Sequence, residues 1–104
     1  MNQAIRKKVR ELGILIGTLP TGKKNCITDV RGVRVGHVTI DRPLDDGKQD
    51  YACTGVTAIL PHGGNLFLEK VIAASYVING FGKTTGLVQV NKLGVLESPI
   101  MLTN

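Results

Sequence analysis

The sequence predicts a mixed α/β (α+β) fold, on three observations. β-Branched residues cluster at 27–40 and 55–61, and an apolar stripe at helical spacing covers 66–78. Aromatic residues are only 4% of the chain, with no Trp. A core so poor in rings must be built from Val, Ile, Leu and Ala, whose small volumes suit a sheet packed against a helix. The 104 residues fit one folding unit, and 42% apolar with 20% charged residues is ordinary globular usage, so a buried core is expected.

The elements follow in order. Gln3 to Leu12 reads as a short helix, broken by Gly13, Gly17, Pro20 and Gly22 into a turn-rich connection. Residues 1–25 are therefore a basic N-terminal arm, and 26–104 a portion of a single α/β domain. From Cys26 to Ile40, the residues Ile27, Val30, Val33, Val35, Val38 and Ile40 predict two antiparallel strands around a turn at Arg31-Gly32. Asp41 to Tyr51 gathers acids, Pro and Gly without apolar periodicity and reads as a solvated loop. GVTAILP (Gly55 to Pro61) is a near-continuous apolar run, the mark of an interior strand.

After the turn HGGN (His62 to Asn65), a helix is predicted over Leu66 to Ile78, with Leu68, Ile72 and Ser75 on one stripe and Val71, Ala74 and Ile78 beside it. Asn79-Gly80 stops it. Leu87 to Leu93 makes one or two further helical turns ending at Gly94, and Pro99 to Thr103 begins another strand. That strand needs neighbours for its backbone N–H and C=O groups, so more polypeptide or another chain is expected to complete the sheet.

Charge and composition narrow the function. Thirteen Lys and Arg against eight Asp and Glu give +5, and eight of the thirteen lie at or before Arg34. No arginine-rich tract or base-stacking aromatic pattern accompanies them, so no nucleic-acid partner is expected. The apolar stretch from Leu12 to Ile16 falls short of the roughly 7 to 15 residues of a secretory core, and no run nears the ~20 of a membrane span. A cytoplasmic protein with no membrane partner is the expectation. Cys26 and Cys53 are too few and too far apart for a disulfide framework or zinc knuckle and read as buried thiols.

Few motifs offer chemistry. In NGFGKTTG, Gly82-Lys83-Thr84 matches the end of a phosphate-binding loop, but the Gly required five residues before Gly82 is replaced by Val77. The preceding segment also reads as helix, whereas such a loop follows a strand. His37 and His62, even with Asp29, Asp41 or Asp50, lack metal-site spacing and read as turn or strand-end histidines bonded to backbone. No metal and no cofactor are expected. Cys26, Cys53, Thr18 and Ser75 assemble into no nucleophile elbow or triad. Glu97, the only acid after Lys70, could bind an ammonium group or be a solvated turn residue.

Five segments, Arg10 to Ile40 (RELGILIGTLPTGKKNCITDVRGVRVGHVTI), Thr54 to Asn65 (TGVTAILPHGGN), Lys70 to Lys83 (KVIAASYVINGFGK), Leu87 to Gly94 (LVQVNKLG) and Leu96 to Asn104 (LESPIMLTN), resemble the opening of the DmpA-type aminopeptidases and their β-aminopeptidase relatives. The loop from Asp41 to Cys53 matches least. The resemblance implies a partial α-β-β-α sandwich of the DmpA/ornithine-acetyltransferase-like type, incomplete in this chain. It implies a precursor that cuts itself before a Ser, whose freed α-amine activates the hydroxyl as nucleophile. It further implies an oxyanion hole and an acidic site for the substrate's amino group. The residues corresponding to the family's nucleophile and its supporting Ser and Glu fall beyond Asn104, so no catalytic residue is assigned here. Glu97 carries over as the candidate anchor of the substrate ammonium, and Asn104 as a residue lining the cleft.

The expected protein is thus the N-terminal segment of a self-processing aminopeptidase acting on small peptides, amides or esters. It is expected to be inactive alone, partnered by the remainder of its own polypeptide and by copies of itself. The alternatives are a non-catalytic binding or assembly domain, and an acyltransferase of the ornithine acetyltransferase-like architecture.

Overall fold

A computed structural model describes residues 6–45, 47 and 49–104. Two short 3-10 turns, Val9–Leu12 and Ile27–Asp29, punctuate an otherwise irregular arm. The first lies inside the helix predicted from Gln3, whose residues 3–5 fall outside the described residues. Regular structure then runs as β1 (Arg34–Pro43), β2 (Tyr51–Leu60), β3 (Val71–Ile72), α1 (Leu87–Leu93), β4 (Val95–Leu96) and β5 (Ile100–Thr103).

β1 and β2 form one long antiparallel hairpin, in register from Arg34 opposite Leu60 to Pro43 opposite Tyr51. Val35 faces Ile59, Val38 faces Val56 and Ile40 faces Thr54 across it, β-branched pairs that pack on a pleated surface. The hairpin turns at 44–50, where the Leu44 N–H donates to the Asp50 carbonyl at 2.9 Å. The predicted turn at Arg31-Gly32 does exist, with Gly32 at φ 90°, but it delivers the chain from the 3-10 turn into β1 and joins no second strand. The expected loop is correspondingly shorter, since Asp41 to Pro43 are paired in β1. Gly55 is required where it stands, because a Cβ there would meet the Val38 carbonyl oxygen at 2.6 Å.

β5 joins the other side of β2, with Thr103 opposite Val56 and Ile100 opposite Ile59, giving the order β1-β2-β5. The GVTAILP strand is central, as its apolar run predicts. Register assigns Val38, Ile40, Val56, Ala58 and Met101 to one face and Val35, Thr57, Ile59, Ile100 and Leu102 to the other. Both faces are largely apolar.

The helix predicted over 66–78 is not formed. Val71 and Ile72 pair antiparallel with Leu96 and Val95 as a second, two-stranded sheet, and exposure alternates residue by residue from Val71 to Tyr76. Val71, Ile72, Val77 and Ile78 are stiff at χ1 and favour extended backbone, and the pairing with β4 supplies the ladder bonds that decide the matter. α1 forms as predicted, closed by Gly94 in the left-handed region at φ 68°, with its N–H on the Val90 carbonyl at 2.8 Å.

The expected core is also absent. Among the described residues only Leu66 is buried, at 7% exposure, while Ile72, Tyr76 and Phe81 are 94%, 90% and 96% exposed. The accessible surface is 9775 Å², against ~5,700 Å² for a compact chain of this mass. The Cα radius of gyration is 18.2 Å, against about 13 Å for a compact domain of 104 residues. β2 is accordingly half-buried at Ala58 to Leu60 rather than buried on both faces. Among the described residues no helix is long and apolar enough to cross a membrane.

Candidate functional site

The β3–β4 ladder positions the one acidic residue singled out by sequence. Val71 stands opposite Leu96 and Ile72 opposite Val95, so Lys70 and Glu97 occupy the next rung. The Lys70 Nζ lies 3.4 Å from Glu97 Oε2, with the two side chains 35% and 22% exposed. From α1, the Gln89 side-chain amide donates to Glu97 Oε1. α1 is itself tied to the extended segment: the Ser75 hydroxyl donates to Asn91 Oδ1 at 2.7 Å, and the Ala73 N–H to the Gly94 carbonyl at 3.0 Å. Lys70 is held further by the Phe67 carbonyl and sits 4.2 Å from the centroid of the Phe67 ring.

Glu97 and Gln89 face a cavity of about 290 Å³ whose walls include Ala73, Ser75, Thr85 and Ile100. A mostly apolar hollow with one carboxylate and one amide can take a small ligand by its cationic end, because the carboxylate offers acceptor positions beyond those already used. Asn104 is elsewhere. It takes a hydrogen bond from the Thr54 hydroxyl and lines a shallow groove with Thr39, Asp41, Cys53 and Gly55. The neighbouring Thr103 hydroxyl donates to the Gly55 carbonyl at 2.9 Å. The two predicted binding residues thus lie in separate depressions.

The remaining sequence candidates resolve into structural roles. The Gly64 N–H donates to His62 Nδ1 at 3.0 Å, which leaves Nε2 of the neutral ring as the donor to the Glu69 carbonyl at 2.7 Å. That is the turn histidine bonded to backbone that its position predicts. His37 differs: it lies within β1 and bonds its cross-strand partner, Nδ1 to Thr57 Oγ1 at 2.9 Å. The Asp29 carboxylate organises the arm by accepting from the Lys24 N–H at 3.0 Å and the Cys26 N–H at 3.3 Å. No group of three or more His, Cys, Asp and Glu among the described residues is placed to hold a metal ion.

Cys26 and Cys53 are both exposed, which corrects the expectation of buried thiols, since the described residues form no core to receive them. Desolvation, then the hydrogen bond to Asp41 at 3.5 Å and the charge of that carboxylate, raise the Cys53 thiol above its ordinary value. A raised thiol is a poor nucleophile at neutral pH. The segment before Gly82-Lys83-Thr84 is neither the predicted helix nor the strand that a phosphate loop follows, and Val77 stands where the loop needs Gly.

Lys70 and Gln89 are the neighbours of Glu97 that sequence reasoning missed. Their signal was the antiparallel rung that brings residue 70 to residue 97, hidden because 66–78 also satisfies a helical period.

The chain is similar to known proteins in sequence and in fold. The profile of peptidase family S58 matches residues 25–104. A beta-peptidyl aminopeptidase BapA from Sphingosinicella xenopeptidilytica is 43% identical over 99 residues, which cover 92% of this chain and 24% of that protein. The BapA of Sphingosinicella microcystinivorans is 38% identical over 100 residues, 93% of this chain and 24% of that one. The crystal structure of the PH0078 protein from Pyrococcus horikoshii OT3 is 53% identical and superposes with a TM-score of 0.80 over 94% of this chain and 28% of its own. The chain spans about a quarter of the length of the curated relatives it matches.

Proposed function

The chain belongs to peptidase family S58, and on that premise we propose that it supplies the scaffold and the amine-anchoring wall of an aminopeptidase acting on small peptides, amides or esters. The observation that carries this reading is the Glu97 carboxylate, only 22% exposed and facing a cavity of about 290 Å³. An aminopeptidase must recognise a free ammonium group, and a half-desolvated carboxylate in an apolar wall is the group that does so most selectively.

In this reading the nucleophile is a Ser freed by self-cleavage, carried by the remainder of the polypeptide, whose own α-amine takes the hydroxyl proton. Two features support a partner of that kind. Both faces of the β1-β2-β5 sheet are apolar, and a sheet of this character is stable with both faces covered, as in an α-β-β-α sandwich. The outer edges of β1 and β5 are open in the described structure, which suits further strands or a homo-oligomer. The free thiols of Cys26 and Cys53 agree with a cytoplasmic location.

The test is complementation. The 104-residue chain alone should not turn over aminoacyl nitroanilides, and should do so when joined to the remaining polypeptide. Turnover by the repurified chain alone defeats the proposal. In the full-length protein, Glu97→Gln should raise KM for amine-bearing substrates by roughly tenfold or more, as loss of one charge-assisted contact predicts. The open edges of β1 and β5 favour, as a second reading, an assembly module without chemistry, for which the joined protein is inactive yet oligomeric.

A further inference from the structure

Building on Glu97 as the ammonium anchor, we propose that Lys70 is a specificity-determining positioning residue that already occupies the anchor and sets how strongly a substrate amine must bind to share or displace it. Residues 70 and 97 are cross-strand neighbours flanking the Val71–Leu96 pair, and the Lys70 ammonium lies 3.4 Å from Glu97 Oε2. The other carboxylate oxygen takes the Gln89 amide. A substrate ammonium entering from the cavity therefore meets a carboxylate whose charge is half spent.

Lys70 can also let go. Its ammonium holds the Phe67 carbonyl and lies over the Phe67 ring, so two partners remain when Glu97 is surrendered. Glu97 and Gln89 line the cavity and Lys70 does not, so displacement need not carry the Lys70 side chain into the space the substrate fills. With Lys70 35% exposed, water screens part of the repulsion between the two ammonium groups. A residual five- to tenfold penalty on substrate affinity is the scale expected for such a partly exposed pair.

The experiment uses the full-length protein and compares Lys70→Met, Lys70→Gln and Glu97→Gln with an aminoacyl nitroanilide and its analogue lacking the amine. Lys70→Met should lower KM for the amine substrate about five- to tenfold at unchanged kcat, leave the amine-free analogue unaffected, and lose its effect in the Glu97→Gln background. Lys70→Gln, which keeps a donor for the Phe67 carbonyl, should show the same KM shift with less effect on melting temperature. If Glu97→Gln raises KM while both Lys70 variants leave it unchanged or raise it, Lys70 is a structural clamp and the inference is overturned with the anchor intact. If Glu97→Gln leaves KM unchanged, the anchor itself is wrong. Failure of both Lys70 variants to fold likewise overturns the inference, since an adjustable subsite tolerates loss of its competitor.

Discussion

The 104-residue chain isolated from other polypeptide should not be a cooperative domain. The unfolded chain of this mass exposes ~16,000 Å², and a compact fold would remove about 65% of that. The observed surface of 9775 Å² removes only about 40%. Exposed apolar side chains lie on the N-terminal arm, on both faces of the main sheet and along the run from Ile72 to Phe81. The assay is equilibrium unfolding with parallel dye binding and small-angle scattering. Expected are a broad, weakly sloped urea transition, strong binding of a hydrophobic dye, and a radius of gyration well above the ~13 Å of a compact domain. Addition of the remaining polypeptide should abolish dye binding and sharpen the transition. A single steep transition, with the m-value of a compact domain and no dye binding, would refute the argument from uncovered surface.

Other predictions concern individual contacts, each measured in the full-length protein. Gly55→Ala should destabilise by about 1–3 kcal/mol in chemical denaturation, because the new Cβ meets the Val38 carbonyl oxygen at 2.6 Å within a paired strand. Asp41→Asn should speed alkylation of Cys53 at pH 8, since removing the carboxylate lowers a thiol that it helps to raise and so increases the thiolate fraction. The rate difference should shrink as pH climbs past the wild-type thiol's own titration. His62→Ala removes a donor to the Glu69 carbonyl and an acceptor for the Gly64 N–H, and should cost about 1–2 kcal/mol in the same denaturation series.

Composition and local pattern were enough to determine the mixed α/β class, the central GVTAILP strand, α1 with its stop at Gly94 and the strand at 100–103, and they drew attention to Glu97 as a candidate. Each rests on information contained within a few neighbouring residues: an apolar run, a Gly able to take a left-handed backbone, a lone carboxylate beside a strand. The segment from Leu66 to Ile78 fits periods of 2 and of 3.6 alike, and only its pairing with Val95-Leu96 decided for extended backbone. The hairpin loop moved from Arg31-Gly32 to 44–50 for the same reason, because the partner of β1 lies beyond the nearest turn. Lys70 and Gln89 became neighbours of Glu97 through that non-local pairing and through the docking of α1 beside it. A ladder is chosen by which strands meet in space, and that choice is made by tertiary structure, while the propensity to be a strand at all is written residue by residue.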